Sequence, residues 1–507
     1  MHKSKIYFVG AGPGDPALIT LRGAQLLRQA DCVIYDGLVN EVLLEDCRPN
    51  CECLCVRKRT GEKPFTQEQI NQLLVEKAAQ YRTVVRLKGG DPGFFGRTAE
   101  EIQTCIQGKI DFEVVPGVTA ASAAAAYSGL FLTDRQFSSQ VLFVTGQEAP
   151  DKNESSIDWD FLAGFRGTIA FYMAMSNLEQ IAAALLANGK PADTPAAVIQ
   201  NASLPHQRLV QASLERIAAV CRQEGMEAPA IVLIGPTAVY REETDWFRRR
   251  PLAGRTILIA RDEEGTRSLS RRLNELGADV LGLPVLAVRN FARTGAADTA
   301  LTRLGEFDWV VFTSRRGAEF SLQRLAELGK DARAFGRARI ACIGPETARA
   351  LGEYGLRADF IPTTFTGQAL AEELSAKEPP AGKKFLLLRS AVAPDDLPKS
   401  LQRQGAVVEE VSIYTVEPAE LPARLIEPIL ERLGRRRIDW ILFASSSAVS
   451  AFLKFVPKET VLKSGAKIAS IGPSTTRRLL EEELPAALEA PVHTLEGLTE
   501  ALIRYHD

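Results

Sequence analysis

Val9-Gly10-Ala11-Gly12-Pro13-Gly14-Asp15-Pro16 continues the apolar run Ile6-Tyr7-Phe8-Val9, and its reading decides the architecture of the first half of the chain. An apolar run that ends in glycines predicts a buried strand and then a sharp turn, where the backbone comes close to a ligand. The spacing is not that of a dinucleotide fingerprint. Asp15 stands where a third glycine belongs, and Pro13 lacks the N–H that a pyrophosphate uses. No nicotinamide or flavin module is expected. Two more turns follow strand-like runs: Leu87-Lys88-Gly89-Gly90-Asp91-Pro92-Gly93-Phe94-Phe95-Gly96-Arg97, and Val114-Val115-Pro116-Gly117-Val118-Thr119-Ala120-Ala121-Ser122, which opens an alanine-rich helix. Three such turns at strand ends make a crevice for a small ligand with polar and aromatic parts.

Working outward, Cys32-Val33-Ile34-Tyr35, Thr83-Val84-Val85-Arg86-Leu87 and Val141-Leu142-Phe143-Val144 are further strands, and a helix is expected around Leu21–Ala30. The alternation predicts an α/β fold with substantially parallel pairing. After Ile231-Val232-Leu233-Ile234-Gly235, the charged stretch from Tyr240 to Pro251 lacks apolar periodicity. It reads as a solvated linker, with Arg248-Arg249-Arg250 as an anion site the second reading. A second α/β series opens with Thr256-Ile257-Leu258-Ile259-Ala260 and repeats itself. Phe307-Asp308-Trp309-Val310-Val311-Phe312-Thr313-Ser314 recurs as Ile438-Asp439-Trp440-Ile441-Leu442-Phe443-Ala444-Ser445. Ile340-Ala341-Cys342-Ile343-Gly344-Pro345 recurs as Ile468-Ala469-Ser470-Ile471-Gly472-Pro473. Two copies are too few for a solenoid and predict two similar lobes with a cleft between them.

With 507 residues, the chain exceeds one ordinary core. Its formal net charge of −2 gives no sign of nucleic acid or an anionic membrane as partner. No apolar run is long enough to span a bilayer. The start lacks the h-region and cleavage site of a signal peptide, so a cytoplasmic protein is expected. Among the eight cysteines, Cys47, Cys51, Cys53 and Cys55 cluster. Cys51, Cys53 and Cys55 alternate, which puts them on one face of a strand. They lack the paired C-x-x-C spacing of zinc sites, so they are read as small packed hydrophobes, and no metal is expected. The four histidines, two of them at His2 and His506, argue against metal chemistry built on imidazole.

The order of the three turns resembles the tetrapyrrole methylase family, and within it uroporphyrinogen-III C-methyltransferase. Ile34-Tyr35-Asp36-Gly37-Leu38-Val39, Gly129-Leu130-Phe131-Leu132-Thr133, Phe171-Tyr172-Met173, Asn201-Ala202-Ser203-Leu204-Pro205-His206-Gln207-Arg208 and Ala228-Pro229-Ala230-Ile231-Val232-Leu233-Ile234-Gly235 extend the likeness over about half the chain. It implies lobes of about 1–115 and 116–247, S-adenosylmethionine in the crevice between them (leaving as S-adenosylhomocysteine), and a homodimer formed through this half. By position it implies cofactor contacts from Pro13, Gly89, Gly90, Asp91, Phe94, Thr119, Ala120, Met173 and Ala202, with Asp91 accepting from polar groups of the cofactor. It assigns the base to Asp36. Lys58 is either a proton donor or the partner of a substrate carboxylate. The chain departs from the family at Ala202, where glycine is usual, and at Asp134 and Gln147, where histidine is common.

The second half offers hydroxyl-rich strand ends: Thr313-Ser314, Ser445-Ser446-Ser447 and Gly472-Pro473-Ser474-Thr475-Thr476. Hydroxyls and backbone N–H groups at helix starts suit carboxylates, although ordinary N-capping explains each one singly. Their recurrence favours a polyanionic ligand bound by Thr313, Ser314, Ser445, Ser446, Ser474 and Thr475. Together with Ile343-Gly344-Pro345-Glu346-Thr347-Ala348 and Val411-Ser412-Ile413-Tyr414, the pattern resembles uroporphyrinogen-III synthase from residue 255 to about 505. The likeness implies one lobe of 255–288 plus 417–507 and another of 289–416. It also implies closure of hydroxymethylbilane to uroporphyrinogen III, with inversion of the last pyrrole and loss of water, assisted by Tyr414. The expected organisation is therefore 1–247, a linker at 248–254, and 255–507, with tetrapyrroles as the substrates. The rival reading is a methyltransferase for a later precorrin fused to a non-catalytic two-lobed tetrapyrrole-binding module.

Overall fold

The computed structural model describes residues 4–48, 50–56, 65–148, 156–239 and 242–505. Two compact units divide the chain: 1–255 with 274–279, and 256–273 with 280–507.

In the first unit, β1 (Lys5–Gly10), β2 (Cys32–Tyr35), β3 (Glu52–Cys55), β4 (Thr83–Lys88) and β5 (Asp111–Val115) form a sheet in the order β3-β2-β4-β1-β5. Every pair in it is parallel. Its inner strands are buried on both faces, which explains why they read as continuous apolar runs. Val9, Val33, Val85 and Leu87 pack with Leu26 and Leu27 on one side; Ile6, Phe8, Ile34 and Val84 pack with Leu74 on the other. Helix starts are set by capping. Thr20 accepts from the Gly23 N–H, and Thr66 with Gln69 forms a reciprocal capping box. Since β4, β1 and β5 are parallel neighbours, the three glycine turns leave from adjacent carboxyl ends, where α/β sheets place ligands.

A second sheet contains β6 (Val141–Thr145), β7 (Thr168–Tyr172), β8 (Pro195–Gln200), β9 (Arg208–Ser213) and β10 (Ala230–Ile234), in the order β6-β7-β10-β8-β9. Here only β6 and β7 run parallel; β10 is antiparallel to both of its neighbours, and β8 to β9. The substantially parallel pairing expected of this half thus holds in the first sheet, and the second sheet is mixed. The short connection between β8 and β9 forces that pair antiparallel, because a parallel crossover needs a dozen residues or more. The charged stretch before Pro251 is also not solvated along its length. Asp245 and Phe247 are buried, Tyr127 packs its ring against Trp246 and Phe247, and the Arg250 guanidinium lies 3.7 Å from the Phe247 ring centroid. Isolated aromatic anchors in a charged run give no periodicity, so the pattern conceals them.

The second unit is built on one sheet of nine strands: β11 (Thr256–Asp262), β12 (Asp279–Asn290), β13 (Trp309–Phe312), β14 (Arg339–Cys342), β15 (Lys384–Ser390), β16 (Val407–Pro418), β17 (Trp440–Phe443), β18 (Lys467–Ser470) and β19 (Leu488–Glu489), in the order β14-β13-β15-β16-β12-β11-β17-β18-β19. The repeat in the sequence is a repeat of structure. β13 leads to a helix capped by Ser314 and then to β14, its parallel neighbour; β17 leads to a helix capped by Ser445 and later to β18, likewise parallel. Between these halves the 12-residue strands β12 and β16 pair antiparallel, Asn290 opposite Tyr414 through Leu286 opposite Pro418. The two halves keep separate cores, one around Phe312, Leu322 and Leu386, the other around Leu258, Phe443 and Phe452. No helix among the described residues is long and apolar enough to cross a membrane.

Candidate functional site

In the first unit the three glycine turns meet. The Gly12 N–H donates to the Gly90 carbonyl at 3.2 Å, and the Gly90 N–H returns to the Gly12 carbonyl at 2.8 Å. Side chains have no room here: a Cβ on Gly117 falls 2.3 Å from the Gly90 oxygen, and one on Gly10 falls 2.6 Å from Gly117 Cα. Both oxygens of Asp91 are engaged by this geometry, accepting from the Gly93 N–H at 2.6 Å and the Gly117 N–H at 2.8 Å. Asp91 therefore clamps the second turn to the third. The first turn meets the other sheet's connection at Ser203, whose Oγ accepts from the Asp15 N–H at 3.0 Å. A Cβ on Gly14, beside Pro13, falls 3.0 Å from the Ala202 carbonyl.

Aromatic and hydroxyl groups cross from one sheet to the other at the same place. The Tyr172 hydroxyl lies 2.7 Å from Thr119 Oγ1 and accepts from the Ala121 N–H at 3.2 Å, next to Ala120. Phe94 packs on Phe143 and Phe95 on Tyr172. Burial holds the Tyr172 phenol above its ordinary range, against the bonds to Thr119 and Ala121. Met173 is 47% exposed at φ +53°, so it is not a core methionine; the chain holds it in a backbone conformation that a side-chain-bearing residue rarely adopts.

Asp36 follows β2 at the same end of the sheet. Its carboxylate is 2.5 Å from Nη2 of the buried Arg86, which also pairs with the buried Glu101 at 3.2 Å; Glu101 in turn holds the Lys88 ammonium at 2.9 Å. Burial keeps Lys88 below the usual lysine range, with Arg86 adding to the effect. Lys58 lies outside the described residues. Asp134 caps its own turn through the Gln136 and Phe137 N–H groups, and the Gln147 N–H donates to Thr145 Oγ1.

In the second unit, a cavity of about 430 Å³ is lined by Thr313, Ser314, Tyr414 and Ser445. The Tyr414 hydroxyl donates to Ser314 Oγ at 3.0 Å. Ser446 is partly buried at a helix start outside this lining, and Ser474 is exposed. Thr475 is fully buried at 0%, and its Oγ1 has no hydrogen-bond partner among the described residues. The cavity also holds charged groups that no sequence motif marks: Arg261, Arg316 and Arg389, with Asp262 and Asp396. Asp262 accepts from the Gly265 N–H at 2.9 Å and pairs with Arg261 and Arg316. Burial pushes its carboxyl up, but the Gly265 N–H and the two guanidiniums outweigh that and hold it below the ordinary aspartate range. Arg389 is occupied by Glu410 and by the carbonyls of Ala393 and Pro394. Arg261 is less engaged, since its Nη1 has no hydrogen-bond partner among the described residues. The available signal was position: Arg261 and Arg389 end strands, and Arg316 follows the Thr313-Ser314 corner.

The first unit thus carries a crevice of glycine turns, and the second a cavity of arginines and hydroxyls. Residues 5–218 match the model of the family described as Tetrapyrrole (Corrin/Porphyrin) Methylases, and residues 267–500 that of Uroporphyrinogen-III synthase HemD. Porphyrin biosynthesis protein HemD of Ruminiclostridium josui is 34% identical over 91% of this chain and 91% of its own length. The chain belongs to this family of porphyrin biosynthesis proteins, with a methylase domain and a synthase domain fused in one polypeptide. An S-adenosyl-L-methionine-dependent uroporphyrinogen III methyltransferase of Methanosarcina barkeri is 43% identical over 46% of this chain and 91% of its own. The siroheme synthase of Zymomonas mobilis is 45% identical over 48% of this chain, which spans about half (51%) of that protein's length.

Proposed function

We propose that the chain closes hydroxymethylbilane to uroporphyrinogen III in residues 255–507 and methylates that product twice to precorrin-2 in residues 1–247, with 248–254 between. The observation that carries this reading is the pairing of the two sites. The cavity of the second unit carries three arginines, hydroxyls and a phenol, which suit a substrate with many carboxylates. The crevice of the first combines close-set backbone turns with exposed Phe94, Phe95 and Met173, which suit a nucleoside sulfonium and the thioether it leaves behind.

The residues present thus fit S-adenosylmethionine, with Pro13, Gly89, Gly90, Asp91, Phe94, Thr119, Ala120, Met173 and Ala202 as its holders. Bound there, the cofactor supplies an electrophilic methyl group and leaves as S-adenosylhomocysteine. The chain's own part is to hold an electron-rich pyrrole carbon in line, exclude water and remove the proton. Asp36 takes that proton, and the Arg86–Glu101–Lys88 network fixes its carboxylate. Lys58 serves the substrate, as proton donor or carboxylate partner. In the second unit Tyr414 gives its phenolic proton to the departing hydroxide, which leaves as water. Arg261 and Arg316 meet substrate carboxylates. The methyltransferase half pairs with a second copy, and the protein works in the cytoplasm.

Purified protein given hydroxymethylbilane tests this reading. Uroporphyrinogen III without S-adenosylmethionine, and its dimethylated product with it, support both halves. Isomer I alone removes the synthase, and unmethylated isomer III in the presence of cofactor removes the methyltransferase.

A further inference from the structure

The eight cysteines divide by burial. Cys32, Cys105, Cys221 and Cys342 are buried, as small packed hydrophobes are. Cys47 and Cys51 are only partly buried, and Cys53 is exposed. Cys47 closes the helical turn Glu41–Asp46, Cys51 enters β3, and Cys53 stands on it. Their three Sγ atoms all lie within 4.8 Å of one another. Alternation along β3 explains why Cys51, Cys53 and Cys55 share a face; it does not explain why the sulfur of Cys47 arrives from the preceding turn at the same point. A disulfide uses two sulfurs and leaves the third unaccounted for.

Thiolates around a tetrahedral cation, with metal–sulfur bonds of about 2.3 Å, stand roughly 3.8 Å apart. Small side-chain rotations close the observed spacing to that value. Cys55 is not part of the convergent group, and no His, Asp or Glu among the described residues joins it. Three soft donors select a thiophilic divalent ion over magnesium or calcium.

We propose that Cys47, Cys51 and Cys53 form a three-thiolate site for a soft divalent cation such as zinc, separate from both active sites. Each thiol that ligates gives its proton to solvent. The site lies on the edge strand of the first sheet, whereas the glycine turns leave the carboxyl ends of β4, β1 and β5. Its role is structural. It ties the Glu41–Asp46 turn to β3 and blunts an edge that otherwise offers unpaired backbone groups to another chain.

The test uses the full chain, reduced under anaerobic conditions, with all eight thiols verified by titration. Cobalt(II) is added as the probe, and zinc(II) is then used to displace it. The expected result is a thiolate-to-cobalt charge-transfer band that saturates at about one equivalent and disappears with zinc. Cys53→Ser and Cys47→Ser abolish the band, whereas Cys55→Ser retains it. Cys53 is exposed, so Cys53→Ser keeps the fold and decides the matter alone if Cys47→Ser does not fold. Absence of the band in fully reduced protein, its persistence in Cys53→Ser, or its loss in Cys55→Ser overturns the proposal.

Discussion

Ser314 Oγ accepts the Tyr414 hydroxyl at 3.0 Å and, on its other side, the Gly317 N–H that opens a helix, also at 3.0 Å. A serine oxygen with both acceptor positions filled has only its own proton left to give. The strand that carries Tyr414 and the helix that Ser314 caps are thereby joined at the wall of the cavity, and the phenol, 8% exposed, is held in one orientation.

Tyr414→Phe removes the hydroxyl and keeps the ring, so little packing is lost. If this phenol assists water loss, closure slows by on the order of 10²–10⁴, the range for general acid catalysis. Hydroxymethylbilane closes spontaneously to the uninverted isomer I, so product shifts from isomer III towards isomer I. Methylation of supplied uroporphyrinogen III stays at the native rate. Chromatography of the oxidised isomers reads the result; a native ratio at a native rate makes Tyr414 a packing residue.

Asp91→Ala frees the Gly93 and Gly117 N–H groups and unclamps two of the glycine turns. Loss of two charge-assisted bonds predicts S-adenosylmethionine affinity lower by about tenfold or more, with the synthase unaffected. Calorimetric titration with S-adenosylhomocysteine measures it, and unchanged affinity removes Asp91 from the site.

How much of this was legible follows from the range of the interactions. Gly10, Gly90 and Gly117 could be read because a tight turn after an apolar run is a local requirement. The use of Asp91 could not, since Gly117 lies 26 residues further along the chain. Ser314 and Ser445 were recognised as helix starts, and both cap helices beside the cavity. Arg261 and Arg316 escaped notice because one arginine at a strand end resembles any surface charge until the fold brings two to one aspartate. The antiparallel β10 was hidden for a related reason: an apolar run gives burial but not direction.

The sequence pattern places Thr475 with the ligand-facing hydroxyls, but its complete burial gives a different expectation. Its Oγ1 has no partner among the described residues. Thr475→Val replaces a hydroxyl by a methyl of like shape, so it should leave closure of hydroxymethylbilane unchanged and stabilise the second unit by about 1 kcal/mol. Denaturant unfolding and the isomer ratio together decide; a loss of isomer III at native stability returns Thr475 to the substrate.

Asp262 predicts a pH dependence. Its folded pKa is lowered, so the stability it contributes is present above the ordinary aspartate range and is lost as pH falls through the lowered value. Asp262→Asn should therefore destabilise the second unit by about 1–3 kcal/mol near neutral pH, and the gap to the native chain should close in acid. Unfolding by denaturant at both pH values checks the sign, and a gap that widens in acid contradicts it.

One polypeptide carrying both chemistries should convert the linear tetrapyrrole to the methylated ring in a single reaction. Full-length protein is given hydroxymethylbilane and S-adenosylmethionine labelled in the methyl group, and the tetrapyrrole is separated, oxidised and weighed by mass spectrometry. The expected product is an isomer III skeleton bearing two labelled methyl groups, and the unmethylated isomer III when the cofactor is withheld. A product of the isomer I skeleton, or an isomer III skeleton without label when cofactor is present, contradicts it.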